Sequence, residues 1–377
     1  MTHCRCLPSG VILALVARIH EPLQPTPIPL DPRDEPEDDA LQLSRDEPED
    51  NSEEGNWCNI TPMRGHELLT DQELAEVRRR SDVMGLALVL HAWAIIFAAM
   101  ALFAVWPNPL TFLLAVMLIG SRQLGLAILM HDAAHKALAR TFWLNEFLGS
   151  WACGAAVAAD LYAYRPYHLK HHRYTQQAED PDLVLSAPFP VTRASLARKL
   201  LRDLSGQTGF KQRRAQLRAA LGTPGAPLNA RVQTFAAKLG RPLIVNGLLF
   251  AGLCALGFWW LYPALWLVPL LTWYMAVTRV RNIAEHALVP DNDDAFRNAR
   301  TTLAAPLVAL FLAPYWVNYH VEHHLLMWVP CYNLTKLHRL LRQKGYLLRL
   351  EIQPSYWRVL EMAAAKPALP RTPVAAT

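Results

Sequence analysis

The chain has 377 residues, of which 52% are hydrophobic and only 18% charged, with a formal net charge of +5. Its length would allow two or three soluble domains, but the apolar residues gather in runs near or above the roughly 20 needed to cross a bilayer. A membrane protein is therefore expected. The segment 31–54 holds twelve acidic residues, which leaves the rest strongly basic. In a membrane protein that basicity is first a topology signal, and no nucleic-acid partner is expected.

Residues 1–62 are rich in proline and acid, with RDEPED written twice from Arg33 and Arg45, and are expected to stay disordered. The apolar run beginning at Val11 is too short for a signal peptide. The abrupt change of composition raises the expectation that translation starts at Met63 rather than Met1. The six cysteines form no CxxC pair, and Cys153, Cys254 and Cys331 read as small packing residues.

A first span is expected over 83–106, preceded by Arg78, Arg79 and Arg80, and a second over 110–130, with Pro107, Asn108 and Pro109 making a tight turn between them. A second hairpin is expected from 242–262 and 263–278, with Arg279 and Arg281 at its returning end. Between the hairpins, 193–241 carries eleven basic residues and the single acid Asp203, which places it on the cytoplasmic side. Both termini follow it there. The apolar stretches 144–159 and 303–317 reach only about 24 Å as helices and are expected to lie along the interface. The fold expected is an all-α integral membrane protein of two transmembrane hairpins, four spans in total. Interfacial helices and a cytoplasmic helical cap complete it. The scheme is a tail to residue 62, a membrane body over 63–350 and a C-terminal tail over 351–377.

Of fourteen histidines, eight fall in three compact groups: His131 and His135; His168, His171 and His172; His320, His323 and His324. Residues three or four apart share a helix face, so each group is expected to converge on one point, the pattern of metal ligands. Eight imidazoles exceed the needs of one four-coordinate zinc, which implies two metals. The segment Asn282-Ile283-Ala284-Glu285-His286 offers His286 as a ninth ligand. Asp132, Glu285 and Glu322 sit among these residues and could orient imidazoles, while Asp132 and Glu322 could instead face a helix-surface arginine. His91 reads as a packed residue of the first span. His338, with Lys336, Arg339 and Arg342, reads as part of a basic amphipathic segment on a solvated or headgroup-facing surface. Trp259, Trp260, Trp266 and Trp273 read as anchors or packing.

The patterns His131-Asp-Ala-Ala-His135, His168-Leu-Lys-His171-His172 and His320-Val-Glu-His323-His324 resemble the three histidine boxes of membrane fatty-acid desaturases. Tyr164-Arg165, Asp180-Pro181-Asp182 and Asn333-Leu334 add similar context, and the resemblance covers roughly residues 80–345. It implies two iron ions held by those eight histidines, with His286 in place of a further ligand seen in relatives. It also implies O2 as co-substrate, and hydrogen removal from an unactivated lipid or fatty acyl chain to leave a double bond. Iron suits this chemistry because zinc cannot change valence.

The boxes equally allow a hydroxylase or ketolase acting on fatty acyl, carotenoid or other lipid carbon. A metal-binding or metal-transporting membrane protein is disfavoured because the histidines collect at one surface rather than along a mid-bilayer path. No dinucleotide-binding glycine motif and no haem or iron–sulfur cysteine pattern is present, so electrons are expected from a separate ferredoxin, rubredoxin or cytochrome with its reductase. The basic stretch 193–241 offers such an acidic partner a surface, although topology alone also explains it. With no fused donor domain and no organelle-targeting feature, a bacterial-type cytoplasmic membrane is expected.

Overall fold

The computed structural model describes residues 65–366, so the acidic tail and the Met63 start lie outside the described residues. The first long element, α1 (Asp71–Arg78), opens with a capping box in which Thr70 and Glu73 each satisfy the other's backbone N–H. Ser81 then caps α2 (Asp82–Val105), and Asn108 caps α3 (Pro109–Ala134), which has proline in its first turn. Proline is suited to that position because the N–H it lacks would have no helical partner there.

At 24 and 26 residues, α2 and α3 reach about 36 and 39 Å, enough to cross the hydrocarbon core. They form the expected first hairpin. The two differ in burial: 67% of the apolar window of α3 is inside the protein, against 33% for α2. Central α3 is therefore the post around which the rest assembles. Val83, Leu90 and Val105 of α2 point outward, as a helix solvated by lipid tails allows.

The stretch 144–159 is broken. It starts within α4 (Phe142–Phe147), continues as a π-helical turn over Leu148–Gly154 and closes with a 3-10 turn at Ala155–Val157. The π-helical and 3-10 turns pack along α3. Asp160 next caps α5 (Leu161–Arg173), accepting from the N–H groups of Tyr162 and Ala163. Arg165 of α5 reaches the carbonyls of Ala133 and Ala134 and the carboxylate of Glu146, fastening α5 to the end of α3.

The basic stretch folds into α6 (Arg193–Leu204), α7 (Gln207–Ala220) and the start of α8 (Leu228–Ala255). This last helix begins fourteen residues before the expected span start at Pro242, counted from 228 to 242, and runs through that proline. Asn246 explains part of the tolerance: its side-chain amide donates to the carbonyls of Pro242, Ala155 and Ala156. Neighbouring polar groups can compensate a proline within a membrane helix in this way.

The expected fourth span, 263–278, is not a single helix. It comprises a π-helical segment at Tyr262–Leu267, α9 (Val268–Leu271) and α10 (Trp273–His286), with Thr272 at φ −119°, ψ −84° between the last two. Pro263 and Pro269 lack the N–H donors that a continuous ladder requires. Among the described residues, three helices are long and apolar enough to cross a membrane.

A parallel two-stranded pairing joins β1 (Thr301–Thr302) to a strand near the C-terminus, and α11 (His320–Leu325) and α12 (Leu334–Gln343) lie between them in sequence. The partner strand β2 (Ile352–Gln353) leads into α13 (Tyr356–Ala363), capped by Ser355 and packed on α10 with Tyr356, Val359 and Ala363 buried. The stretch from 351, read from sequence as a tail, is thus part of the folded body as far as the end of α13.

Candidate metal centre

Four helix ends converge below the hairpin. His131 occupies the last turn of α3, and His135 is its C-cap residue. The second box lies on α5, His286 ends α10, and the third box forms most of α11. All nine histidines named from the sequence come together, in two groups. One contains His131, His135, His168, His172 and His323, and the other His171, His286, His320 and His324; candidate ligand atoms within each lie within 4.8 Å of one another.

This partition corrects the expectation that each box converges on a single point. His168 and His172, four residues apart on α5, share one face, while His171 is turned about 100° from its neighbour and enters the other group. On α11 the pair His320 and His324 stays together and His323 is the residue that departs. Each of these two boxes therefore serves both groups.

Ring nitrogens face one another at short range. The Nε2 atoms of His168 and His172 are 2.9 Å apart, those of His172 and His323 3.1 Å, those of His286 and His320 2.8 Å, and those of His171 and His286 3.2 Å. Two ligands at right angles with metal–nitrogen bonds of about 2.1 Å would be about 3.0 Å apart. Moreover, Nε2 of His131, both ring nitrogens of His135 and Nδ1 of His168 and His286 are buried without a hydrogen-bond partner. Buried polar atoms left unpaired are costly, and a cation in the five-histidine group would satisfy His131 Nε2 and one nitrogen of His135.

Electrostatics favour the ligating form. Burial, assisted by the Arg165 charge, pushes His135 down to about 3. Burial likewise holds His168, His172, His320, His323 and His324 well below the usual imidazole range. Neutral imidazole is the state that binds a metal. His171 is the exception: burial disfavours its charge, but hydrogen bonding to Asp180 and the Asp182 charge outweigh that and raise it. Its Nδ1 lies 2.8 Å from Asp180 Oδ1, leaving Nε2 directed at the second group. Asp180 is itself held by the backbone N–H groups of Gln176 and Asp182, both at 2.8 Å.

The acids singled out from the sequence act differently. Asp132 accepts the Cys331 N–H at 2.8 Å and stands 3.9 Å from His131 Nδ1, too far for a hydrogen bond. Glu285 pairs with Arg281 at 2.5 Å and is 3.6 Å from His320. Glu322 is fully buried between Thr301 and His338, whose Nδ1 donates to it at 2.5 Å. Neither Asp132 nor Glu322 faces a surface arginine. His338 is accordingly not on a solvated basic surface: α12 turns it inward while Arg339 and Arg342 point elsewhere. Asp180, the acid that orients an imidazole directly, was visible only as part of the Asp180-Pro181-Asp182 context. Nothing in its nine-residue offset from His171 marks the contact.

Other candidates lie outside the centre. His91 is in neither group and bonds the Tyr315 hydroxyl at 3.1 Å. Trp266 is buried, stacked on Trp93 at 5.5 Å, and donates to Asn246. Trp273 donates to Ser121, whereas Trp259 is exposed. Cys153 and Cys331 are buried and Cys254 is exposed, all as free thiols.

Comparison with known proteins gives the arrangement its context. The fatty acid desaturase family model matches residues 105–356, two-thirds of the chain, and spans all three boxes and His286. The chain belongs to the fatty acid desaturase family. Among its curated relatives, dihydrorhizobitoxine desaturase of Bradyrhizobium elkanii is 28% identical over 73% of this chain and 80% of its own length. The sn-1 oleoyl-lipid 12-desaturase of Picosynechococcus sp. is 25% identical over 68% of this chain and 76% of its own. This desaturase-family member is an oxidoreductase and a membrane protein, built mostly of helices around a histidine cluster able to hold metal.

Proposed function

We propose that this protein is a membrane-bound di-iron oxidase that introduces a carbon–carbon double bond into a fatty acyl or lipid substrate, using O2 and electrons from a separate protein donor. The observation that carries this reading is the sorting of nine buried or half-buried histidines into a group of five and a group of four. His131, His135, His168, His172 and His323 hold one iron, and His171, His286, His320 and His324 the other. When bound, the iron pair supplies the redox chemistry that removes two hydrogens from neighbouring carbons while O2 is reduced to water.

The chain itself supplies position and enclosure. Asp180 accepts the hydrogen bond of His171 Nδ1–H and thereby fixes which nitrogen faces the metal. Thr175 bonds the His171 carbonyl and meets Nδ1 of His324 at 3.2 Å, tying α5 to α11. A small polar cavity lined by Tyr164, Asp182, Arg281 and Asn282 borders the four-histidine group and offers water and O2 an approach.

In the membrane arrangement we favour, α2, α3 and α8 cross the bilayer and the broken limb from Tyr262 through α9 into α10 makes the fourth crossing. The centre, the basic helices α6 and α7 and both termini then face the cytoplasm. The electron donor is a ferredoxin, rubredoxin or cytochrome-type protein.

Product analysis tests the reaction. Cells expressing the chain, fed a deuterium-labelled acyl precursor, should accumulate lipid that has lost two hydrogens from adjacent carbons. Lipid that has instead gained one oxygen atom would identify a hydroxylase and overturn the desaturation reading.

A further inference from the structure

Helices α6 and α7 are packed on one side and open on the other. On the packed side, Asp203 of α6 forms a two-pronged ion pair with Arg279 of α10, with Arg279 Nη2 2.9 Å from Asp203 Oδ1. Gly209 of α7 lies so close to α9 that a Cβ there would come within 2.5 Å of the Leu271 carbonyl oxygen. These two contacts decide which faces point away from the protein.

The open faces are neither simply polar nor simply apolar. On α7, Phe210 is 65% exposed and Leu217 47%. At 100° per residue, Phe210, Arg214, Leu217 and Leu221 fall within an arc of about 60°, and Arg218 and Lys211 run along one edge of it. On α6, Leu201 is 64% exposed, beside exposed Leu204, and Arg193 and Arg198 flank the pair. None of these five flanking cations, Arg193, Arg198, Lys211, Arg214 and Arg218, has a hydrogen bond or ion pair among the described residues. On membrane helix α8, exposed Leu228, Val232, Leu243 and Phe250 fall within an arc of about 60° and continue the apolar surface.

We propose that this face lies in the headgroup layer of the bilayer and binds anionic phospholipid. The acyl chains cover Leu201, Phe210 and Leu217, and the lipid phosphates pair with the five cations. Charge complementarity and continuity with α8 select this occupant. An acidic soluble protein would match the cations but leave the exposed phenylalanine and leucines uncovered. The proposal depends on the membrane placement above and not on the reaction catalysed.

The test uses the full-length protein reconstituted into bilayers containing spin-labelled phosphatidylglycerol or spin-labelled phosphatidylcholine. The fraction of motionally restricted lipid is read by electron paramagnetic resonance. The wild type should favour phosphatidylglycerol severalfold, and the variant K211Q/R214Q/R218Q should fall most of the way to parity. R193Q/R198Q on the neighbouring helix should show a separate, smaller drop, while R214K/R218K keeps the preference. High salt should weaken the preference. Equal restriction of both lipids by the wild type would overturn the proposal, as would a preference unchanged in both glutamine variants. Unchanged lipid preference with lost turnover from an acidic electron donor would assign the face to protein docking instead. Flotation that leaves the chain in the aqueous fraction would overturn the membrane placement and this proposal with it, a result distinct from the product analysis that judges the reaction.

Discussion

At the scale of single residues, the centre depends on side chains that never touch a metal. Asp180→Ala removes the acceptor that fixes His171 and should weaken metal retention by about 10- to 100-fold, read by chelator competition; retention equal to wild type would show that His171 needs no such partner. His338→Ala strands the fully buried Glu322 and should cost about 1–3 kcal/mol of stability. A change within about 0.5 kcal/mol, the usual size for an open surface site, would contradict the inward placement.

The buried imidazoles also fix a pH response. Because His135, His168 and His172 have lowered proton affinity in the folded state, the unfolded chain binds more protons below its own pKa of about 6.5. Stability of the chelated protein should hold above that pH and fall as pH drops from about 7 to 5. A flat melting temperature across that window would contradict the assignment. The nine histidines were legible because their spacing is local. The partition into two groups was not, since it depends on how α5 and α11 cross, and Asp180 was hidden because a turn, not a periodic element, brings it back to His171.

At the scale of elements, close crossings set the geometry of the centre. Gly120 of α3 meets Trp273 of α10, where a Cβ would come within 2.9 Å of the indole side chain. Gly120→Val should push these helices apart, at about 1–3 kcal/mol in stability, and should separate His131 from His286 enough to lower activity. Thermal melting with turnover checks it, and unchanged values in both would show that the crossing tolerates bulk. The first hairpin was legible from its unbroken apolar runs and the Asn108-Pro109 turn. The second was only half legible: hydropathy sees neither that α8 starts in the basic stretch nor that Pro263, Pro269 and Thr272 break the returning limb. The two-residue pairing of β1 with β2 left no pattern to read, so the anchoring of α13 behind it was missed as well.

At the scale of the whole molecule, one face carries the basic helices and the convergent helix ends, and the opposite end carries the uncharged turn at Trp106 to Asn108. Trypsin added to inverted membrane vesicles should therefore cut within 193–241, while right-side-out vesicles should protect it. Cutting only in right-side-out vesicles would reverse the orientation. The central claim is that the two histidine groups hold two irons, and it is tested most directly by metal content per chain on detergent-purified protein, compared with His135→Ala and His286→Ala. Two irons in the wild type, with a marked loss from the five-histidine group in the first variant and from the four-histidine group in the second, is the predicted result. A full complement of zinc, or iron content unchanged in both variants, would contradict it.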